Sequence, residues 1–166
     1  EPISARLASS FSRNGISEAA TDTSCFGLTS MRSMASGGFS MNSPAFLLDD
    51  FFLIDAGTVC LSLDRTAQRQ ISHVFISHAH LDHIKGIPSL VDNVVFVDPT
   101  WQLSILSGHE VIADLQQNIF NDRIWPDFNL IPDGQNPAML YQTLSTEEPI
   151  EVAGYRIHIA RVHHKV

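Results

Sequence analysis

Phe51-Phe52-Leu53-Ile54 is apolar at four consecutive positions, with Asp49-Asp50 before it and Asp55-Ala56-Gly57 after it. A strand with one wetted face alternates apolar and polar residues, so a continuous run predicts a strand covered on both faces. With the preceding run at 45–48 it forms a hairpin that turns at the aspartate pair. A chain that must cover both faces of a strand has to build layers. The run 73–77, His-Val-Phe-Ile-Ser, predicts a second core strand on its β-branched and aromatic content.

The rest of the chain supplies covering elements. Residues 61–70 predict a helix, and 82–93 a short helix interrupted near Pro88. Residues 94–98, Val-Val-Phe-Val-Asp, predict another buried strand. Ser107-Gly108-His109-Glu110 fits a capping box, and Val111, Ile112, Leu115 and Ile119 recur at helical spacing. Residues 121–134 form a loop with two prolines, and 139–145 and 155–162 predict strands. In the latter both faces hold apolar residues, as in a strand buried between layers. Residues 25–31 predict a short strand and 35–39 a glycine turn. Strands at both ends and helices between them imply an α/β fold with helices outside the sheets.

The chain's 166 residues and 44% hydrophobic content suffice for one domain with a real core. Residues 1–24, rich in Ser, Ala and Thr, predict an N-terminal extension, partly helical, ahead of a domain at 25–166. A net charge of −8 argues against a nonspecific grip on nucleic acid, which runs on clustered Lys and Arg. Phosphate here is more readily met through a metal. Cys25 and Cys60 are too few and too far apart for a zinc ribbon or a disulfide framework, mildly favouring a reducing compartment. No apolar run reaches the ~18 residues of a membrane span, and the first residues lack a signal-peptide centre. A cytoplasmic location is expected. Periplasmic or secreted locations stay open because the chain starts at Glu1 without a methionine.

His78-Ala79-His80-Leu81-Asp82-His83 begins where the 73–77 strand ends. In an extended segment residues i and i+2 point the same way, so His78 and His80 can present both imidazoles to one point. Asp82 and His83 follow after the chain turns into a helix, aimed at a second point a few ångströms away. Paired metals in hydrolases sit ~3.5–4 Å apart, a separation such a loop can span. Imidazoles plus a carboxylate suit zinc first, with manganese or iron as alternatives. For this composition the pattern arises by chance on the order of once in a thousand such chains. His73, His109 and His158 are isolated and read as surface or core residues. His163 and His164, at the end of the 155–162 strand, are placed where a distant third ligand would come from, and adjacent strand residues face opposite ways, so one of them serves.

The segment 78–86, His-Ala-His-Leu-Asp-His-Ile-Lys-Gly, resembles the signature of the metallo-β-lactamase fold, and Leu81 within it is similar to the class-II cyclic-nucleotide phosphodiesterases. Residues 35–57 resemble the family's glycine turn, hairpin and aspartate motif, and 118–128 a segment of its bacterial members. The resemblance covers roughly residues 26–166. It implies an αββα sandwich of which the N-terminal half to two-thirds is present. It assigns one zinc to His78, His80 and His164 and gives Asp82 and His83 to a second, two zinc ions per complete domain. His163 takes the neighbouring polar position. Asp55 becomes a supporting residue for the metal loop, an assignment about as strong as that of a turn residue closing the hairpin. The family's later bridging aspartate and last histidine have no counterpart before Val166, so the domain is expected to be incomplete at its C-terminus and the last strand frayed unless the missing half of the sheet is supplied.

The resemblance implies hydrolysis of a 3′,5′-cyclic nucleotide such as cAMP to the 5′-monophosphate. Two zinc ions would hold the phosphate, activate a bridging water that Asp82 helps orient, and stabilise the leaving 3′ oxygen. The partner is then a small molecule, with no nucleic acid and no membrane, and a homo-oligomer is compatible. Trp125 and Phe128 are candidates for an apolar wall against the purine, core packing being an equal alternative. The rivals are tRNA 3′ processing, thioester or lactone hydrolysis on the same fold, and an inactive binding or scaffold domain. The acidic balance and Leu81, where RNA-processing relatives usually carry glycine, weigh against tRNA.

Overall fold

The computed structural model describes the backbone of residues 5–13, 31–33 and 44–163, and side chains over 44–162. The expected strand at 25–31 lies almost wholly, and the turn at 35–39 entirely, outside the described residues. Six strands form a mixed sheet in the order β2 (Met31–Ser33), β3 (Phe46–Leu48), β4 (Phe52–Ile54), β5 (His73–Phe75), β6 (Leu103–Ser107) and β7 (Met139–Thr143). β2, β3 and β4 pair antiparallel, whereas β4 to β7 run parallel. A second, antiparallel sheet has the order β1 (Ala5–Arg13), β9 (Tyr155–His163), β8 (Ile150–Val152).

The continuous apolar runs divide their side chains between two cores, as an alternating pleat requires. Leu47, Leu53, Val74 and Ile105 face the helices, packing with Ile87, Leu90, Val91 and Val94. Leu48, Phe52, Phe75 and Leu106 face the second sheet, packing with Val152, Tyr155, Ile157 and Ile159. The layers are therefore helices, sheet and sheet. Tyr155 adds a direct tie between the sheets, its hydroxyl donating to Asp49 Oδ2 at 2.5 Å. The hairpin turns where expected: Asp49 and Asp50 adopt φ of 47° and 66°, a left-handed region that aspartate visits more readily than most residues.

Several local expectations are corrected. The 61–70 helix is split into α1 (Val59–Ser62) and α2 (Arg65–Gln70), the latter capped by Asp64, whose side chain accepts from the Ala67 N–H. The helical break after the histidines falls at Lys85, between α3 (Leu81–Ile84) and α4 (Gly86–Val95), not at Pro88. Pro88 sits in the first turn of α4, where a missing N–H costs no helical bond. Val94 and Val95 are no strand: with Ile87, Leu90 and Val91 they complete the buried stripe of α4, and Phe96 and Val97 beyond them are exposed. Helical spacing overrides the β-branched content. The strand is β6 instead. Ser107 is its buried last residue, its hydroxyl donating to the Ile76 carbonyl, so Gly108 caps α5 (His109–Asn118) and no capping box forms.

The N-terminal segment, expected to be a partly helical extension, contributes β1, which pairs with the whole of β9 through Ala5 opposite His163. β9 pairs along its whole length in a nine-residue antiparallel ladder with β1. β9 is also not covered on both faces among the described residues. Tyr155, Ile157 and Ile159 are buried, while Arg156, His158 and Ala160 are exposed. No helix of the described residues is long and apolar enough to cross a membrane.

Candidate metal centre

Strands β4 to β7 run parallel, so their C-terminal ends lie along one edge, the usual ligand edge of a parallel sheet. β4 leads to Asp55 there, and β5 leads to Ser77 and His78. The chain is still extended at His80, which precedes α3, and α3 carries Asp82 and His83. The loop is tied down by backbone bonds: Ile76 N–H donates to the Leu106 carbonyl, and Ala56 N–H to that of His83.

Four polar side chains of this edge are buried against the sheet: Asp55, Ser77, His78 and His83. Asp55 is their hub. Its Oδ1 accepts the Ser77 backbone N–H at 2.8 Å, its Oδ2 lies 2.8 Å from His83 Nδ1, and the Ser77 hydroxyl lies 3.0 and 2.9 Å from the two oxygens. Asp55 holds a left-handed φ of 57° to do so. Outside this hub the ligand-bearing atoms pair. His78 Nε2 lies 3.1 Å from His80 Nδ1, and His83 Nε2 lies 3.5 Å from Asp82 Oδ2. The rings of His78 and His83 have centroids 3.9 Å apart, so the two pairs are neighbours.

The donor set fits zinc. Two nitrogens each 2.0–2.1 Å from a tetrahedral centre are about 3.3 Å apart, close to the His78–His80 separation. Nδ1 of His83 is engaged by a carboxylate, the arrangement that directs the other ring nitrogen toward a metal. Asp82 is exposed, its carboxylate open to solvent beside His83. Among the described residues no three His, Cys, Asp or Glu side chains converge as one complete site. His163 ends β9, and His164, expected as the third ligand, lies outside the described residues. Ser77 was missed by the sequence reading. Its only signal there was a hydroxyl directly before the first histidine.

Trp125 and Phe128 do not line this edge. α5 begins beside the end of β6 and returns toward the opposite edge, where Met139 N–H, at the start of β7, donates to the Phe128 carbonyl. Phe128 is fully buried in the helix-side core and Trp125 packs against that core. A cleft of about 210 Å³ does open on the site edge, lined by Gly108, His109, Ser145, Thr146 and Arg161 among others. Ser107, next to Gly108 of this cleft, ties it to the end of β5: its carbonyl accepts the N–H of the cleft residue Leu144 and its hydroxyl donates to the Ile76 carbonyl.

The family model of class-II cAMP phosphodiesterases matches residues 62–157, more than half of the chain and all of the histidine loop. The chain belongs to the class-II cAMP phosphodiesterase family. Ribonuclease Z of Methanococcus maripaludis is 36% identical over 75 residues, which is 43% of this chain and 24% of that protein. The 3′,5′-cyclic-nucleotide phosphodiesterase 1 of Saccharomyces cerevisiae is 35% identical over 57 residues, 34% of this chain and 15% of that one. The chain thus matches a quarter or less of the length of these curated relatives. Among solved structures, the metallo-β-lactamase fold protein YhfI from Bacillus subtilis superposes with a TM-score of 0.54 at 17% identity, over 78% of this chain and 57% of that one. Unliganded yeast PDE1 does so with a TM-score of 0.56 at 13% identity, over 95% and 61%. These likenesses establish the metallo-β-lactamase fold, and the chain spans about three-fifths of the length of each of these two structures.

Proposed function

We propose that the chain supplies the first metal-binding part of a phosphodiesterase that hydrolyses 3′,5′-cyclic nucleotides such as cAMP to 5′-monophosphates. The observation that carries this reading is the adjacency of the His78–His80 and Asp82–His83 pairs on one loop, inside the family-matched segment and backed by the Asp55 hub. His78 and His80, with His164, would hold one zinc ion, and Asp82 and His83 would contribute to a second. Manganese or iron are alternatives for the same donors. Zinc, when bound, supplies Lewis acidity toward a phosphoryl oxygen and its leaving group.

The chain's own residues do the positioning. Asp55 accepts a hydrogen bond from His83 Nδ1–H and so leaves the Nε2 lone pair facing outward, beside Asp82. Asp82 accepts a proton bond from the attacking water and aligns it. The cleft at Gly108, Ser145 and Arg161 receives the part of the nucleotide that does not react. With a net charge of −8 the chain relies on metal for the phosphate.

A second reading, tRNA 3′ processing, draws on the ribonuclease Z similarity. Turnover of cyclic nucleotides, a precursor tRNA, thioesters and lactones by the complete gene product, with zinc content measured in parallel, separates the readings. Two zincs per chain with cyclic-nucleotide hydrolysis is the expected result. Precursor tRNA cleavage alone favours the second reading, and a metal-free inert protein a scaffold.

A further inference from the structure

We propose that Ser77 is a positioning residue for the metal centre: its hydroxyl, held by Asp55, fixes His78 in the tautomer protonated on Nδ1 and turns the Nε2 lone pair toward His80. The argument is a count of protons. Ser77 Oγ makes short contacts with both Asp55 oxygens, at 3.0 and 2.9 Å, and with His78 Nδ1 at 2.9 Å. A hydroxyl has one proton, and an ionised carboxylate only accepts. The proton therefore goes to Asp55. Oγ then meets His78 with a lone pair, and a 2.9 Å contact needs the proton on Nδ1.

The opposite assignment sets the Oγ lone pairs against two carboxylate oxygens within 3.0 Å, in a place where all four side chains are buried. Each carboxylate oxygen would keep its Ser77 N–H or His83 partner, but an oxygen lone pair facing another at that separation with no proton between them is repulsive, and more so in a buried place. The Ser77 backbone is fastened to the same carboxylate, its N–H donating to Asp55 Oδ1. One carboxylate thus sets two rings, His83 directly and His78 through Ser77. His80 Nδ1, 3.1 Å from His78 Nε2, is the matching donor in the absence of metal. The consequence for metal affinity rests on the reading of His78 as a zinc ligand, whereas the tautomer itself does not.

The test is a set of ring nitrogen–proton correlation spectra of the zinc-free chain at pH 8, where unperturbed imidazoles are neutral. Zinc affinity is measured separately by competition with a chromophoric chelator. Wild type and Ser77→Thr, which keeps the hydroxyl, are expected to show His78 protonated on Nδ1. Ser77→Ala is expected to show a mixture or the Nε2 form, and to bind zinc about 10–100-fold more weakly, as loss of an outer partner of a metal histidine does. Ser77→Thr should restore most of that affinity. His78 protonated on Nε2 in the wild type would overturn the proposal, as would a Ser77→Ala protein with unchanged tautomer and affinity. If Ser77→Ala does not fold, the wild-type and Ser77→Thr spectra decide alone. A wild-type chain that binds no zinc removes the zinc reading, while the spectra still decide the role of Ser77.

Discussion

Asp55 combines burial, a left-handed backbone and three donors drawn from residues 22 and 28 positions away. Asparagine tolerates the same backbone region, so Asp55→Asn isolates the side-chain chemistry. Its amide sets an N–H₂ against one of those donors. Urea unfolding should show a loss of about 1–3 kcal/mol, the cost of an unmatched buried group, and unchanged stability would remove Asp55 as the hub. His80→Ala leaves that hub intact and removes half of the His78–His80 pair, so zinc content should fall while the fold persists. Full occupancy in that variant would sink the pair as a site. Asp82→Asn should retain zinc at the first pair yet cut turnover at least ~100-fold, since a misaligned water loses most of its advantage. The His-x-His-x-Asp-His spacing was legible because its members are near neighbours on an extended-to-helical turn. Asp55 was legible only as one of two equal alternatives, because its donors come from the segment after β5 and from α3. Ser77 was illegible, since nothing local distinguishes it from any serine ending a strand.

At the scale of elements, α3 and α4 meet β4 through Gly86. A Cβ there would lie 2.2 Å from the Ala56 carbonyl oxygen and 2.7 Å from Val59 Cγ1. The same Ala56 carbonyl accepts the Gly86 N–H, and the Ala56 N–H donates to His83. The helix junction that carries His83 is therefore fastened to the segment that carries Asp55. Gly86→Ala should cost at least about 1–3 kcal/mol by overpacking. It should also weaken zinc binding, because α4 can relieve the clash only by drawing the junction away from Asp55. Thermal unfolding and chelator competition measure the two effects, and a variant with wild-type values for both would show that the junction has slack. The sequence placed the break at Pro88 because proline is the visible interrupter, while close approach to a distant carbonyl leaves no local mark. The same blindness misplaced the strand at 94–98. Val94 and Val95 look like strand residues until α4 is counted back to Ile87, and only then does the helical stripe emerge.

For the whole molecule, the layering was legible from apolar runs that needed cover on both faces. The pairing of β1 with β9 was not, because it joins segments some 150 residues apart. The interface between the sheets also holds a titrating group. His73 starts β5, stacks on Phe52 at 5.7 Å with an interplanar angle of 2°, and meets the edge of Phe51 at 6.3 Å. Both phenylalanines pack against Tyr155 of the second sheet. Burial lowers the His73 pKa below its usual 6.5. The neutral ring is thus preferred in the folded state, and the unfolded chain binds the extra proton between the two pKa values. The stability contributed by His73 is fully present above about pH 6.5 and is lost as pH falls through the folded pKa. His73→Phe keeps an aromatic ring against Phe52 and removes the titration. Urea midpoints compared at pH 8 and pH 5.5 should fall further for the wild type than for His73→Phe, with the difference growing toward the lower pH. Equal losses in the two proteins would mean that the His73 ring is solvated enough to protonate in place, and that the acid sensitivity of the sandwich arises elsewhere.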